Sequence, residues 1–296
     1  MDQLIASVHV PEDHEPSRAA SGQLRKLDIR LPVASGRADY TLRAGEQRLR
    51  LNAWLGQRVR MHYAGQIHCV ECGQATRKSF GQGHCYRCFS SLAHCDLCMM
   101  RPETCHYFQG TCRDPAWGER HCFRPHVVYL ANASGLKVGI TRGTNTPTRW
   151  LDQGAIQALP ILEVETRQQS GLVETLFKSH VSDRTNWRAM LKGEVEPLDL
   201  VARRDQLVAE LEPGLTALRQ RFGEDAIRTI DDVPPLAIAY PVLEWPRKIV
   251  SFNFDKTPLV EGTLMGLKGQ YLILDTGVIN LRKFAGYQVS IEAGAA

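Results

Sequence analysis

The stretches Cys69-Val70-Glu71-Cys72 and Cys85-Tyr86-Arg87-Cys88 hold two cysteine pairs, each with two residues between its members. Two thiolates at this spacing can reach one ion from a tight turn, which is the geometry that tetrahedral zinc requires. Only twelve residues lie between Cys72 and Cys85, a length that fits a short hairpin. The four cysteines therefore predict a structural zinc site, with an iron–sulfur cluster as the main alternative.

All nine cysteines fall between residues 69 and 122. The five that follow the first cluster are Cys95, Cys98, Cys105, Cys112 and Cys122. Four of these five can complete a second structural site. We expect that site to include Cys95 and Cys98, because they repeat the paired spacing. The spacing does not choose among the others, and one of the five fits equally well as a buried free thiol. We expect one or two structural Zn2+ ions in all.

The cysteines also indicate a compartment. Thiols that bind metal must stay reduced, which favours the cytoplasm. Residues 1–11 lack the basic segment and apolar run of a signal peptide, and nine cysteines cannot all pair as disulfides. No segment approaches about 18 consecutive apolar residues. We therefore expect a cytoplasmic protein with no membrane partner.

Positive charge is concentrated in the middle of the chain. Residues 68–150 carry ten Lys and Arg against five Asp and Glu, while the whole chain has a net charge of +4. A basic face beside a metal module favours a polyanion such as nucleic acid, although such a face is often simply solvated. Both interpretations stay open at this point.

Alternating apolar and polar residues with glycine breaks occur on both sides of the cysteine region, over 23–66 and 240–292. This period of two predicts small antiparallel sheets or barrels. One further strand is expected over 248–252. Helices are expected over 149–159, ended by Pro160, and from Leu198, interrupted by Pro213.

These patterns predict an α+β protein in which small antiparallel β modules flank a zinc module and an α/β domain. The expected divisions are a flexible tail (1–22), an N-terminal β module (23–67), the cysteine-rich zinc module (68–126), an α/β domain (127–197), a helical connector (198–233) and a C-terminal small β-barrel (234–296).

Residues 127–190 carry a resemblance to a known superfamily. Val128-Tyr129, Lys137-Val138-Gly139, then Arg149 and Glu174 follow one another in the order found in the GIY-YIG nucleases, which this segment resembles. The closest likeness is to phage and restriction-type members with Lys-x-Gly-Ile-Thr in the second strand. The whole chain also resembles an uncharacterised bacterial family, a domain of unknown function with this cysteine array.

The resemblance implies a role for each matching residue in phosphodiester hydrolysis. Tyr129 would be the base or its relay, Glu174 the ligand of a catalytic Mg2+ or Mn2+, and Arg149 the clamp on the phosphate. Lys137 stands where many members have a second tyrosine, and a cation there would lower the pKa of Tyr129 or of the attacking water.

Two positions depart from the superfamily pattern. The first motif reads Val-Val-Tyr instead of Gly-Ile-Tyr, and only Asn186 is a candidate for the late asparagine. Structural roles fit the same residues: Tyr129 as a half-buried strand residue, Glu174 as an exposed helix residue, and Arg149 as a partner of Trp150.

Three functions follow as hypotheses. The favoured one is a zinc-containing nucleic-acid-processing protein with GIY-YIG-like, divalent-metal-dependent endonuclease activity. The alternative is a non-catalytic zinc-dependent protein that binds DNA or RNA, since small barrels commonly bind oligonucleotides. The third is an interaction scaffold organised by zinc. The sequence leaves the substrate and the oligomeric state open.

Overall fold

The computed structural model describes residues 18–294, whose strands form three antiparallel sheets. The strands are β1 (Ala19–Gln23), β2 (Asp28–Arg30), β3 (Asp39–Ala44), β4 (Gln47–Arg50), β5 (Arg58–Ile67), β6 (His126–Asn132), β7 (Leu136–Arg142), β8 (Gln157–Val164), β9 (Ile227–Thr229), β10 (Leu236–Ala237), β11 (Leu259–Lys268), β12 (Tyr271–Leu274), β13 (Gly277–Asn280) and β14 (Tyr287–Gly294). The described helices are α1 (Tyr86–Ser91), α2 (Pro115–His121), α3 (Thr148–Asp152), α4 (Arg167–Phe177), α5 (Trp187–Lys192) and α6 (Leu200–Phe222). None of the helices within 18–294 has the length and apolar character needed to cross a bilayer.

The predicted α+β class is confirmed, with antiparallel sheets on either side of the cysteine-rich region. The largest sheet has six strands in the order β1-β14-β5-β11-β12-β13. Strand β5 lies between β14 and β11, so strands from the two ends of the chain pair in one sheet. A separate three-stranded sheet has the order β2-β3-β4. The domain boundaries given above remain predictions.

A second sheet, of five strands, forms the centre of the molecule. Its order is β10-β8-β6-β7, with β9 also paired to β8. Every residue of β6 is buried, as expected of a strand covered on both faces. Val128 and Leu130 face a core built with helices α4 and α6, whereas Val127 and Tyr129 face the core shared with the six-stranded sheet.

Proline accounts for the main errors in the predicted elements. The helix expected over 149–159 is only α3, and Pro160 lies inside strand β8 instead of ending a helix. Pro160 is opposite Tyr129 where the pairing of β6 with β8 shifts register. A proline is tolerated there because an irregular position does not need its missing N–H.

Pro213, in contrast, lies within a continuous helix. Helix α6 runs through it, although a proline removes one backbone hydrogen bond and crowds the preceding turn. The apolar stripe of Leu207, Leu211 and Leu215 is buried on both sides of the proline. This burial offsets the local cost, so the predicted interruption is wrong.

Two further expectations differ from the structure. Residues 19–22 belong to β1, which pairs with β14 through backbone groups and so needs no apolar alternation. Arg18 comes directly before this strand, and residues 1–17 of the predicted tail lie outside the described residues. The strand expected over 248–252 is reduced to an isolated bridge between Ser251 and Val278. Alternation of apolar and polar residues predicts a strand, but it does not show whether the segment pairs with another strand along its whole length.

The cysteine-rich region is held against the central domain by helix α4. The helix begins with a capping box, in which the side chains of Thr166 and Gln169 each accept from the other residue's backbone amide. Its Gly171 faces Pro102 and Glu103, and a Cβ added there would lie 2.5 Å from the Glu103 nitrogen. The contact therefore requires glycine.

We predict that Gly171→Ala destabilises the protein by about 1–3 kcal/mol, because the new methyl group would overlap the backbone at Pro102 and Glu103. In an unobstructed helix the same change would stabilise by up to about 1 kcal/mol. Gly143→Ala, directly after β7, is the control, since its Cβ would meet its nearest atom only at 4.0 Å. Chemical denaturation of both variants measures the difference, and equal stabilities would contradict the packing described here.

Candidate functional site

Four cysteines converge as the sequence predicts. The sulfur atoms of Cys69, Cys72, Cys85 and Cys88 all lie within 4.8 Å of one another. Those of Cys72 and Cys85 are 3.8 Å apart. Tetrahedral zinc with Zn–S bonds of about 2.3 Å places its ligands about 3.8 Å apart, so this cluster has the dimensions of a single-ion Zn2+ site.

Local backbone geometry forms the two halves of this cluster. After the first pair, Gly73 has a φ of +74°, and its amide donates to the carbonyl of Cys69 to close a tight turn. The second pair begins helix α1, whose N-cap is Cys85. Burial would raise the pKa of Cys69, but backbone amides that donate to its sulfur bring it to about 6.

The other five cysteines divide between two places. Cys95 lies with His84 and His94, whose Nε2 atoms are 3.2 Å apart. Cys98 instead lines a cavity; the other three cysteines on its wall are Cys105, Cys112 and Cys122. The structure thus separates Cys95 from Cys98, the pair around which the sequence predicts a second site.

A cleft of about 400 Å3 lies where the cysteine region, the central domain and the C-terminal strands meet. Four arginines on its wall give it a strongly positive character; they are Arg142, Arg149, Arg167 and Arg282. Glu174 is the one carboxylate among the described residues that line it. Trp117 and His121 add a stacked pair of rings, 4.2 Å between centroids. Arginines beside aromatic rings are suited to phosphates and bases.

Tyr129 lies directly behind the cleft and is fully buried. Its hydroxyl donates to Gln153 Oε1 at 2.9 Å. Burial raises its pKa, and the nearby Arg149 guanidinium opposes that rise. Gly139, its partner across the strands, makes room for the ring, since a Cβ there would be 2.6 Å from the hydroxyl oxygen.

Lys137 is buried beside the same residues, with 3% of its surface exposed. Burial and then Arg149 lower its pKa to about 8, while Asp183 and Glu174 act in the opposite direction. Its Nζ donates to Thr185 Oγ1 at 3.1 Å. The pKa of Tyr129 stays raised overall, although Arg149 and the hydrogen bond to Gln153 act in the lowering direction.

Glu174 reaches the cleft from α4 with 13% of its side chain exposed. Burial raises its pKa, and Lys178, one helical turn later, opposes this from 3.3 Å. Lys178 also pairs with Asp183 at 3.2 Å. The carboxylate is therefore held on the wall of the cleft by Lys178 and remains partly accessible from the cleft.

The four residues singled out from the sequence thus occupy one region. Arg149 and Glu174 line the cleft, whereas Tyr129 and Lys137 lie buried behind its wall. Asn186 does not line the cleft; its side chain caps α5 by accepting a hydrogen bond from the Ala189 amide.

Sequence reasoning missed three of the cleft arginines. Arg142 and Arg167 lie at the ends of elements that carry the recognised motifs, so their positions give a usable signal. Arg282 lies in the short 3-10 turn Leu281–Phe284 between β13 and β14, more than 130 residues after Arg149, and no local pattern relates the two. Burial lowers the pKa of Arg282; Asp152 opposes this, and Arg149 adds to the lowering.

We predict that the purified chain contains zinc at the first cluster and that Cys72→Ser removes it, because three thiolates and a hydroxyl bind zinc far more weakly than four thiolates. Elemental analysis measures the content per chain. Ser90→Ala, a change outside the cluster on helix α1, is the control and should keep the wild-type zinc. Wild-type zinc in the Cys72→Ser protein would contradict this assignment.

Comparison with known proteins gives one match to a family. Residues 56–289 match the model described as "Protein of unknown function (DUF2797)". No curated protein and no solved structure matches the chain. Since the match spans well over half of the chain, the protein belongs to the DUF2797 family.

Proposed function

We propose that this protein binds nucleic acid in the basic cleft and cuts its phosphodiester backbone by GIY-YIG-type chemistry that depends on Mg2+ or Mn2+. The observation that carries the proposal is that Arg149 and Glu174 line one cleft while Tyr129 and Lys137 lie buried behind its wall. These residues come from β6, β7, α3 and α4, so their proximity is a property of the fold.

The charge of the cleft supports a phosphate ligand. Its four arginines face a single carboxylate among the described lining residues. Guanidinium groups bind phosphate oxygens through two parallel hydrogen bonds, and a phosphate among several arginines would offset the repulsion between their charges. A nucleic-acid backbone carries several phosphates in succession, so it can bind several of these arginines at once. A single small anion cannot do so.

The residues present fit a divalent cation. Mg2+ is commonly held in proteins by one or two carboxylates, with water and substrate phosphate as the other ligands. Glu174 offers one carboxylate at the cleft wall, and Lys178 would compete with the ion for it. When bound, the ion would supply positive charge to the phosphate oxygens and favour ionisation of a ligand water.

The chain's own residues would perform the remaining steps. Arg149 would hold the phosphate and stabilise the charge that develops on its oxygens. As the oxygen of water forms a bond to phosphorus, its proton would pass to neutral Lys137, directly or through the Tyr129 hydroxyl. The bond from phosphorus to the leaving oxygen would break, and that oxygen would take a proton from solvent.

Lys137 is the better proton acceptor of the two buried groups. A pKa of about 8 leaves about one tenth of Lys137 neutral at pH 7. Burial raises the pKa of Tyr129, so that its hydroxyl keeps its proton at neutral pH. Tyr129 therefore fits the role of relay.

One observation favours the alternative, a protein that binds DNA or RNA without cutting it. Tyr129 is fully buried and Lys137 nearly so, which means that the cleft wall would have to open for either to reach a substrate. The arginine-lined cleft serves binding equally well without that movement. Cleavage assays separate the two functions.

We predict that Glu174→Gln abolishes Mg2+-dependent cleavage, by about 100-fold or more, while the affinity for nucleic acid changes little. The reason is that the amide keeps the shape of the side chain but loses the charge that would hold the ion. The measurement uses single-stranded, double-stranded and branched DNA and RNA, with affinity followed separately by fluorescence anisotropy.

Glu210→Gln on the exposed face of α6 is the matched control and should cut at the wild-type rate. Unchanged cleavage by Glu174→Gln would contradict the assignment of this residue. Tight, salt-sensitive binding by a wild-type protein that cuts none of these substrates would favour the binding function instead.

We also predict that the cleavage rate rises about tenfold per pH unit below pH 8 and levels off above it, because only neutral Lys137 can accept the proton. Lys137→Arg should remove this dependence along with most of the activity, since a guanidinium does not release its proton in this range. Lys268→Arg is the control, because Lys268 is also buried with a pKa lowered by burial to about 8 but lies over the rings of Tyr240 and Trp245. An unchanged profile in Lys137→Arg would exclude Lys137 as the base.

A further inference from the structure

A second group of four cysteines lines an apolar cavity between α2 and the preceding turns. Cys98, Cys105, Cys112 and Cys122 all lie on its wall. The apolar part of the wall includes Tyr107, Trp117 and Phe123. These four thiols come from separate points of the chain and do not belong to the zinc cluster described above. Together with the aromatic rings beside them, they form a second candidate metal site.

The size of this group differs from that of the zinc cluster. Among the described residues, the sets of donor atoms within 4.8 Å of one another include Cys69, Cys72, Cys85 and Cys88, but the second group of four is not such a set. Its cavity also has room for a water-sized sphere. Four thiolates around one zinc ion, each at about 2.3 Å, leave no such space.

A larger metal centre suits a group of thiols that is too wide for a single ion. Around a [4Fe–4S] cluster each cysteine binds a different iron atom, so the sulfur atoms stand roughly 6 Å apart and surround a core several ångströms across. Four cysteines with an enclosed space and an apolar wall are the ligands and surroundings that such a cluster requires.

A single ion at the edge of this cavity is a weaker alternative. Asp96, Cys98 and His106 do lie within 4.8 Å of one another. However, Asp96 already forms an ion pair with Arg113 at 2.9 Å. An ion bound to that carboxylate would stand close to the guanidinium group, and the repulsion between the two cations disfavours it.

Nearby charges favour the cluster instead. A [4Fe–4S]2+ core with four thiolates carries a net charge of about −2. Arg167 is close enough to Cys98 and Cys122 for its charge to interact with theirs, and its Nη2 donates to the Met99 carbonyl at 2.6 Å. Arg113 lies on the cavity wall as well but is paired with Asp96. Arg167 is therefore the cation that offsets part of the charge of the proposed group.

We propose that Cys98, Cys105, Cys112 and Cys122 bind a [4Fe–4S] cluster, while Cys69, Cys72, Cys85 and Cys88 bind zinc. The cluster would replace a hydrophobic core in the turns between α1 and α2, which contain few regular elements. Since Arg167 reaches both the cluster and the basic cleft, the cluster would also fix the position of one phosphate-binding residue; that last consequence rests on the function proposed above.

The experiment is to purify the full chain without oxygen and to measure iron, acid-labile sulfide and zinc per molecule. We expect about four iron atoms, about four sulfide ions and one zinc ion per chain. A broad absorption band at about 400 nm should fade on reduction by dithionite. Protein isolated with little iron is treated anaerobically with ferrous iron and sulfide before the measurement. Two zinc ions without iron, or failure to take up iron in this treatment, would overturn the proposal.

Paired variants separate the two metals. Cys105→Ser and Cys112→Ser should each lose most of the iron and keep one zinc, whereas Cys72→Ser should lose the zinc and retain iron. The zinc that remains in the first two variants shows that they are folded, so a loss of iron there is specific. Wild-type iron content in both Cys105→Ser and Cys112→Ser would contradict the ligand set, whether or not the protein cuts nucleic acid.

Discussion

The burial of strand β6 on both faces determines where the rest of the site lies. One face packs on helices α4 and α6 and the other on the core of the six-stranded sheet, so neither face can move without opening a core. Because successive side chains of a strand point to opposite faces, Tyr129 projects toward the six-stranded sheet, and the two neighbouring strands carry Gly139 and Pro160 opposite it. The cleft forms where β7, α3 and α4 meet the cysteine region.

The charge of the cleft is consistent with the anionic ligand proposed above. Burial lowers the pKa of Arg282, Asp152 opposes this, and the charge of Arg149 adds to it. The described carboxylate on the wall, Glu174, is shared with Lys178, so the positive charge is only partly neutralised. A bound phosphate backbone would offset this repulsion, which couples the stability of the cleft to its occupation.

The sequence predicted the parts of the structure that depend on local spacing. Cys69, Cys72, Cys85 and Cys88 meet as expected. Arg149 and Glu174 line one cleft, and Tyr129 and Lys137 are buried behind it. It could not predict that strands from both ends of the chain share a sheet, since this pairing involves residues about 200 positions apart.

The same limit applies to the second group of cysteines. The paired spacing of Cys95 and Cys98 suggested a common ion, yet the chain turns between them and sends their side chains to different places. Pro160 and Pro213 were likewise misinterpreted because tertiary packing decides whether a proline ends an element. Arg282 shows the general difficulty, since its role arises only from folding.

The most direct test of the central claim, that the basic cleft binds a nucleic-acid backbone, is the salt dependence of oligonucleotide affinity. Anisotropy titrations at several salt concentrations give the slope of log Kd against log salt, which reports the number of phosphates neutralised. We expect the double variant Arg149→Ala/Arg282→Ala to lower this slope by about 1.4–1.8 and Arg203→Ala/Arg221→Ala on α6 to leave it unchanged. An equal slope in the wild type and in the cleft variant would show that the cleft arginines do not bind the phosphate backbone.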